Sequence, residues 1–240
     1  MSFIVQVYTA IFYSPILNAL VYFYNTIAFR DFGLSIIFTT VLIRLVLYPF
    51  FHKGVKQQMV MQRLQPKIKK LQELHKDDKA KQSQALMDLY KEHGVNPFSA
   101  ILLLLIQLPI LLSLYRIILS GLGASTLAGL YPFVSAPATV NWIFLGIFNL
   151  QQRSIELVVL AGIAQYFQAR LAIYRNPQGD GALSPAEKIG RQMAFIGPIF
   201  TIVIFYSLPA AVGLYWLTSS LFSIGQQLIV NRNLQGKYGA

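Results

Sequence analysis

The chain has no cysteine, so disulfides, thiolate metal sites and cysteine nucleophiles are excluded. Charge is scarce as well: 12% of the 240 residues are Asp, Glu, Lys or Arg, against roughly 25% in an average soluble protein. With 55% apolar residues and a mean hydropathy of +0.52, a soluble globule is ruled out and a polytopic membrane protein is implied. Histidine is limited to His52, His75 and His93, without a His-Glu helix motif, so no metal site is expected. A Walker-type glycine loop and a nucleophile elbow are both missing. Neither an enzyme nor a cofactor is therefore expected.

The charge that is present is unevenly placed. Ten of the twenty Lys and Arg residues lie between His52 and Pro97, so the net charge of +11 is a local excess and implies no specific nucleic-acid partner. A basic loop between apolar runs marks the cytoplasmic side of a membrane. Met1 to Phe29 carries no positive charge and no Ala-x-Ala, so no cleavable secretion signal is expected there.

A helix crossing about 30 Å of hydrocarbon needs about 20 residues. Five segments qualify: 34–51, 97–119, 153–174, 192–208 and 210–230, the fourth being short and carrying Gly197-Pro198. Gly94 and Asn96-Pro97 supply a helix stop, a cap and a first-turn proline before the second span. The pieces between read as a cytoplasmic basic hairpin at 52–96, an outer loop at 120–152, a cytoplasmic loop at 175–191 with Arg175, Lys188 and Arg191, and a cytoplasmic tail at 231–240 with Arg232 and Lys237. Residues 1–33 are expected to form an amphipathic helix on the outer surface. Ser14, Asn18, Tyr22 and Asn25 share one face, and Tyr8, Phe12, Tyr13, Phe23 and Tyr24 suit the headgroup belt. The alternative is a sixth span with the N-terminus inside.

The hairpin has its own pattern. Met61, Leu64, Ile68 and Leu71 recur at a and d spacing, and Leu86, Leu89 and Tyr90 form a second stripe after the polar residues 76–83. Two antiparallel helices joined near Asp77-Asp78 would pair these stripes outside the membrane, with Pro66 kinking or restarting the first arm. Such a hairpin either connects spans or docks a ribosome, a nascent chain or anionic lipid.

Arg44 is the most informative residue. Eleventh in the span that starts at Leu34, it sits about 15 Å below the outer boundary, where an arginine costs about 2.5 to 3.5 kcal/mol on insertion scales. None of the nine Asp and Glu residues is central: Glu73, Asp77, Asp78, Asp88 and Glu92 are in the hairpin, Asp180 and Glu187 in the next cytoplasmic loop, and Asp31 and Glu156 at helix edges. By elimination Arg44 faces water inside the bundle, helped by Gln107, Gln165, Gln168, Thr218, Ser219 and Ser220; pairing with Glu156 or with backbone carbonyls is the structural alternative. A pocket with one positive charge and no carboxylate draws acidic or polar peptide segments rather than cations. Pro109, Pro198 and Pro209 are isolated helix breakers that allow bending.

Four stretches, "DFGLSIIFTTVLIRLVLYPF", "LQPKIKKLQE", "YKEHGVNPFSAILLLLIQLPILLSLY" and "LPAAVGLYWLTSSLFSIGQQLIVNR", occur in order between about Pro15 and Asn233. Together they resemble the YidC family of membrane protein insertases. The resemblance implies an all-α membrane protein with five transmembrane helices around a hydrophilic groove, an N-terminal outer interfacial helix and a cytoplasmic helical hairpin. It implies a groove centred on Arg44, with Gln168 as the polar residue of the third span and Trp216 in "GLYW" as an aromatic of the last; Gln107 and Thr218, read above as neutral polar groups near Arg44, are expected to line the same groove. A substrate slide formed by the second and fourth spans would carry Gln107, Pro109, Tyr115, Pro198 and Thr201, and the hairpin would dock clients through Lys67, Lys69 and Lys70.

The implied activity is integration of hydrophobic segments of nascent membrane proteins into lipid without nucleotide hydrolysis. A membrane-protein assembly chaperone acting with the Sec translocon, or a small-solute transporter, is the alternative. Nascent membrane proteins and membrane lipid are the implied partners, with the ribosome and the Sec translocon beside them, in a monomer of the plasma membrane whose C-terminus is cytoplasmic. Against that family pattern, neither the large extracytoplasmic domain of many Gram-negative members nor the long basic tail of some relatives is expected here, and ribosome contact would then rest on the hairpin, the 175–191 loop and the short tail.

Overall fold

The computed structural model describes the backbone of residues 3–96, 98–172 and 185–238, and the side chains of most of these. The expectations for Pro97, for Arg175 and the adjoining part of the 175–191 loop, and for the side chains of Lys188, Arg191 and Lys237 lie outside the described residues.

The chain begins with one helical run, formed by α1 (Phe3–Tyr8), a π-helical turn (Thr9–Tyr13) and α2 (Ser14–Thr26). Pro15 stands in the first turn of α2. Its ring nitrogen donates nothing, so the widened turn before it takes up a mismatch that a regular helix could not. Helix α3 (Phe32–Val46) starts two residues before Leu34 because Asp31 caps it: Oδ1 accepts from the N–H groups of Gly33 (2.7 Å) and Leu34 (3.1 Å). Its far end also differs from the expected span. The helix stops at Val46 rather than Phe51, Leu47 leaves helical geometry (φ −89°, ψ 6°), and α4 (Tyr48–Arg63) departs at 71°. Pro49 is the cause, since it removes a backbone donor and crowds the preceding turn.

Helix α5 (Gln65–Leu74) restarts at Leu64 with Pro66 in its first turn, and α6 (Lys79–Glu92) is capped by Asp78, which accepts from Lys81 N–H at 3.0 Å. Leu64, Ile68, Leu89 and Val95 form a small core, flanked by Met61, Leu71, Leu86 and Tyr90. This cluster is separate from the main core. Helix α7 (Ser99–Ser120) follows and ends at Gly121, whose φ of 65° suits a residue without Cβ.

The stretch after α7 holds a short helix, α8 (Ala124–Leu127), and a two-stranded hairpin in which β1 (Ile143–Phe144) pairs antiparallel with β2 (Phe148–Asn149). Leu145 and Gly146 turn the corner with φ of 50° and 74°. Helices α9 (Ile155–Ala172), α10 (Pro185–Phe205) and α11 (Ala210–Tyr238) complete the chain. Helix α11 packs between α9 and α3, and α10 packs on α9. Two close approaches need glycine: a Cβ at Gly162 would lie 2.7 Å from Ile202 Cδ1, and one at Gly54 2.6 Å from Leu103 Cδ1.

The protein is mainly helical with apolar helices and almost no strand. Among the described residues, the run 3–26 and α9 are long and apolar enough to cross a membrane, the bent pair α3–α4 makes a third, and 105–120 and 195–205 are shorter apolar helices. The main core lies toward the end of the bundle that carries the β-hairpin, where Leu17, Leu20, Phe32, Ile36, Leu157 and Val212 are fully or almost fully buried.

Candidate functional site

Arg44 stands in the last turn of α3, just before the break, with 9% of its surface exposed. Its Nε and Nη2 both donate to Ser219 Oγ on α11, Nε at 3.0 Å. The guanidinium carbon lies 4.3 Å from the ring centre of Phe51 on α4, a cation–π contact made possible by the bend. Among the described residues no carboxylate pairs with Arg44. Glu156 is exposed and instead accepts from Ser154 Oγ at 2.6 Å. Two of the five guanidinium donors therefore meet one neutral hydroxyl.

The arginine forms part of the wall of a cavity of about 350 Å3 built from α3, α4, α7, α9 and α11. Six glutamines line it (Gln58, Gln107, Gln165, Gln168, Gln226 and Gln227), with Ser219, Ser220, Ser223 and Trp216, and among the described residues no Asp or Glu does. Such a volume holds on the order of ten waters. Neutral amides and hydroxyls offer both donors and acceptors, so the wall can solvate peptide groups without fixing a cation. A second cavity, about 360 Å3, has only apolar walls, from the N-terminal run, α3, α4 and α7, and carries no polar chemistry.

Of the groove residues read from the sequence, Arg44, Gln107, Gln168 and Trp216 meet in the first cavity. Thr218 does not line it; its hydroxyl donates to Leu214 O within α11 at 2.8 Å. Gln107 donates to Tyr215 OH. Gln165, one turn from Gln168, makes the structural link: its Oε1 accepts from Trp216 Nε1 at 2.9 Å and from Thr201 Oγ1 at 2.6 Å, tying α9 to α11 and α10. Thr201 and Pro198 are thus buried against α9, outside the cavity lining. Pro109 and Tyr115 are half-buried on α7 and also lie outside it.

The hairpin lysines do not line this wall. Lys69 pairs with Glu73 at 3.6 Å and Lys67 Nζ lies 3.2 Å from His93 Nε2, whereas Lys70 is exposed and without a partner among the described residues. Sequence reasoning overlooked Phe51, Gln58, Ser223, Gln226 and Gln227. Those on α11 had a signal, because Ser219, Ser223 and Gln226-Gln227 recur at helical spacing on one face. Phe51 had none, since its approach to Arg44 depends on the break at Leu47.

Among known proteins, the family described as 60Kd inner membrane protein matches residues 22–237. The membrane protein insertases YidC of Francisella tularensis subsp. novicida (strain U112) and subsp. tularensis (strain SCHU S4 / Schu 4) are each 35% identical over 208 residues, covering 87% of this chain and 34% of the relative. The chain thus spans about a third of the length of these curated relatives. From its matched length and its apolar helices, this chain belongs to the 60Kd inner membrane protein family.

Proposed function

We propose that the chain is a membrane protein insertase that passes the polar flank of a hydrophobic segment through the Arg44 cavity. The observation that carries this reading is the underpaired arginine in a wall of neutral amides and hydroxyls that, among the described residues, holds no carboxylate. A client's apolar segment arrives at the hairpin, and its short polar or acidic flank enters the cavity. There, water and the guanidinium lower the cost of desolvation. Burial of the apolar segment in lipid, at roughly 25 cal/mol per Å2, outweighs transfer of the flank, so no nucleotide is needed and no covalent bond is made.

Five spans with the hairpin and C-terminus in the cytoplasm follow from the distribution of Lys and Arg. The N-terminal run would lie on the outer side, supported by its bonds to the 120–152 stretch: Asn18 to Gly129 and Tyr131, and Tyr24 to Thr139 and Asn141. The exposed faces of α7 (Leu102, Leu105, Leu112) and α10 (Phe195, Ile199, Val203) would form the slide to lipid, and Lys70 would be the freest of the three docking lysines for a ribosome or nascent chain.

Purified protein in liposomes tests the reading with a single-span client carrying an acidic flank. Arg44→Ala should lower insertion about tenfold or more, while Arg44→Lys keeps the charge and retains most activity. Full insertion by the Ala variant would remove the electrostatic role. Wild-type protein that works only when the Sec translocon is added is instead an assembly chaperone, and saturable solute flux would make it a transporter.

A further inference from the structure

At the hairpin end of the Arg44 cavity, one buried acceptor has no donor. Gln226 is 2% exposed and lines the cavity. Its Nε2 donates to Tyr48 O at 3.4 Å, at the break between α3 and α4, while its Oε1 meets no hydrogen-bond donor among the described residues. The reverse orientation of the amide would set oxygen against the Tyr48 carbonyl, so the polarity is fixed by that neighbour. The adjacent glutamine differs sharply. Gln227 Nε2 donates to Asn231 Oδ1 at 2.8 Å and lies 2.9 Å from Met59 Sδ, and Asn231 donates in turn to Leu171 O at 3.2 Å. Gln227 is committed to holding α4, α9 and α11 together, whereas the buried oxygen of Gln226 has no donor among the described residues.

A donor that reaches Gln226 gains a bond to an oxygen that gives up no protein partner. Within the proposed insertase, the donors in need are backbone N–H groups of a client that have left bulk water before a helix has formed, the groups that hydrocarbon tolerates least. Arg44 offers only donors and would take a client carbonyl or carboxylate. Ser219, which holds Arg44, and Gln226 are seven residues apart on α11. That is about 10 Å of helix rise, or about three residues of extended chain.

We propose that Gln226 Oε1 accepts a backbone N–H of the client's extended flank, about three residues from the group held at Arg44, so that the cavity recognises unpaired peptide backbone as well as charge. This rests on the insertase reading. The client class is therefore any apolar segment with a short extended flank, whatever the side chains at the Gln226 register.

The test is a proline scan of the client flank in liposomes, with alanine at each position as control, because proline removes one N–H without removing the carbonyl. Wild-type protein should show a penalty of about three- to tenfold at one flank position. Gln226→Met, which removes the acceptor at similar volume, should insert the alanine clients more slowly and lose the position-specific penalty. Gln226→Glu, which keeps an oxygen acceptor, should retain it. If the Met variant does not fold, the Glu variant decides, since loss of the penalty there overturns the proposal. A penalty that persists unchanged in Gln226→Met, or none in wild type, also overturns it. Should Arg44→Ala still impair acidic clients in those same vesicles, the insertase reading survives and only the Gln226 role falls; wild-type protein that inserts nothing defeats both.

Discussion

Two regions of the molecule bury polar side chains in opposite ways. At the β-hairpin end, Asn18 donates to Ser14 O and Gly129 O and accepts from Tyr131 N. Asp31 caps α3 with one oxygen and takes Leu145 N–H with the other at 2.8 Å. Tyr24 OH donates to Thr139 O and accepts from Asn141 N–H. Around Arg44, by contrast, two guanidinium donors meet one serine and a glutamine oxygen has no donor among the described residues. Fully satisfied networks fix one structure, and partly satisfied ones leave bonds for something else to make. The first region closes the bundle, and the second keeps donors and an acceptor that the described residues do not use.

The largest effect is expected from removing a satisfied group at the closed end. Asn18→Leu keeps the volume roughly constant but leaves Gly129 O and Tyr131 N without their partner, so it should destabilise the protein by about 2–5 kcal/mol. Thermal unfolding in detergent measures it. A melting temperature equal to wild type would mean that the closed end owes its order to apolar packing alone.

The same melt on Arg44→Met should give the opposite sign or nothing. Replacing an incompletely paired buried charge by an apolar side chain is neutral to stabilising, on the order of 1 kcal/mol, even while the proposed insertion activity should fall. If Arg44→Met destabilised as much as Asn18→Leu, the arginine would be a structural member and the contrast would collapse.

Much of this contrast was legible in the sequence, though unequally. The absence of a central carboxylate is a matter of inventory, so Arg44 announced itself through what is missing around it. The helical recurrence of Ser219, Ser223 and Gln226 is a local pattern and could be found by counting. Apolar repeats in the hairpin are local too, and they converge on the core of Leu64, Ile68 and Leu89. The closed end was opaque for a physical reason. Asn18 meets partners 111 and 113 residues away, and its place on a polar helical face suggested solvent, whereas it is buried against loop backbone. Helix ends were harder still: Asp31 could be named as a charge at an edge, but its hold on the β-hairpin depends on a turn at Leu145-Gly146 that no periodicity marks. The 71° bend at Leu47 turns Phe51 toward Arg44, and only the proline at 49 hinted at it.

The smallest effect is expected where the same cap chemistry stands in solvent. Asp78 caps α6 as Asp31 caps α3, but it has no second structure to hold. The Lys81 backbone N–H, and next the Lys81 ammonium at 3.3 Å, keep its carboxyl below the usual carboxylate range. A depressed folded value means that the cap's contribution is complete above the unfolded pKa, about 3.9, and is lost as pH falls through the lower folded value. Amide exchange at Lys81, corrected for its intrinsic pH dependence, should therefore show protection that is constant from about pH 7 to pH 5 and declines below about pH 4. Asp78→Asn keeps an oxygen acceptor but cannot titrate, so its protection should not change across that window. Equal decline in both proteins would assign the loss to the hairpin core instead of the cap. In that case a solvent-facing carboxylate contributes too little to be measured, and the strength of the Asp31 cap would lie in the β-hairpin it also binds rather than in capping itself.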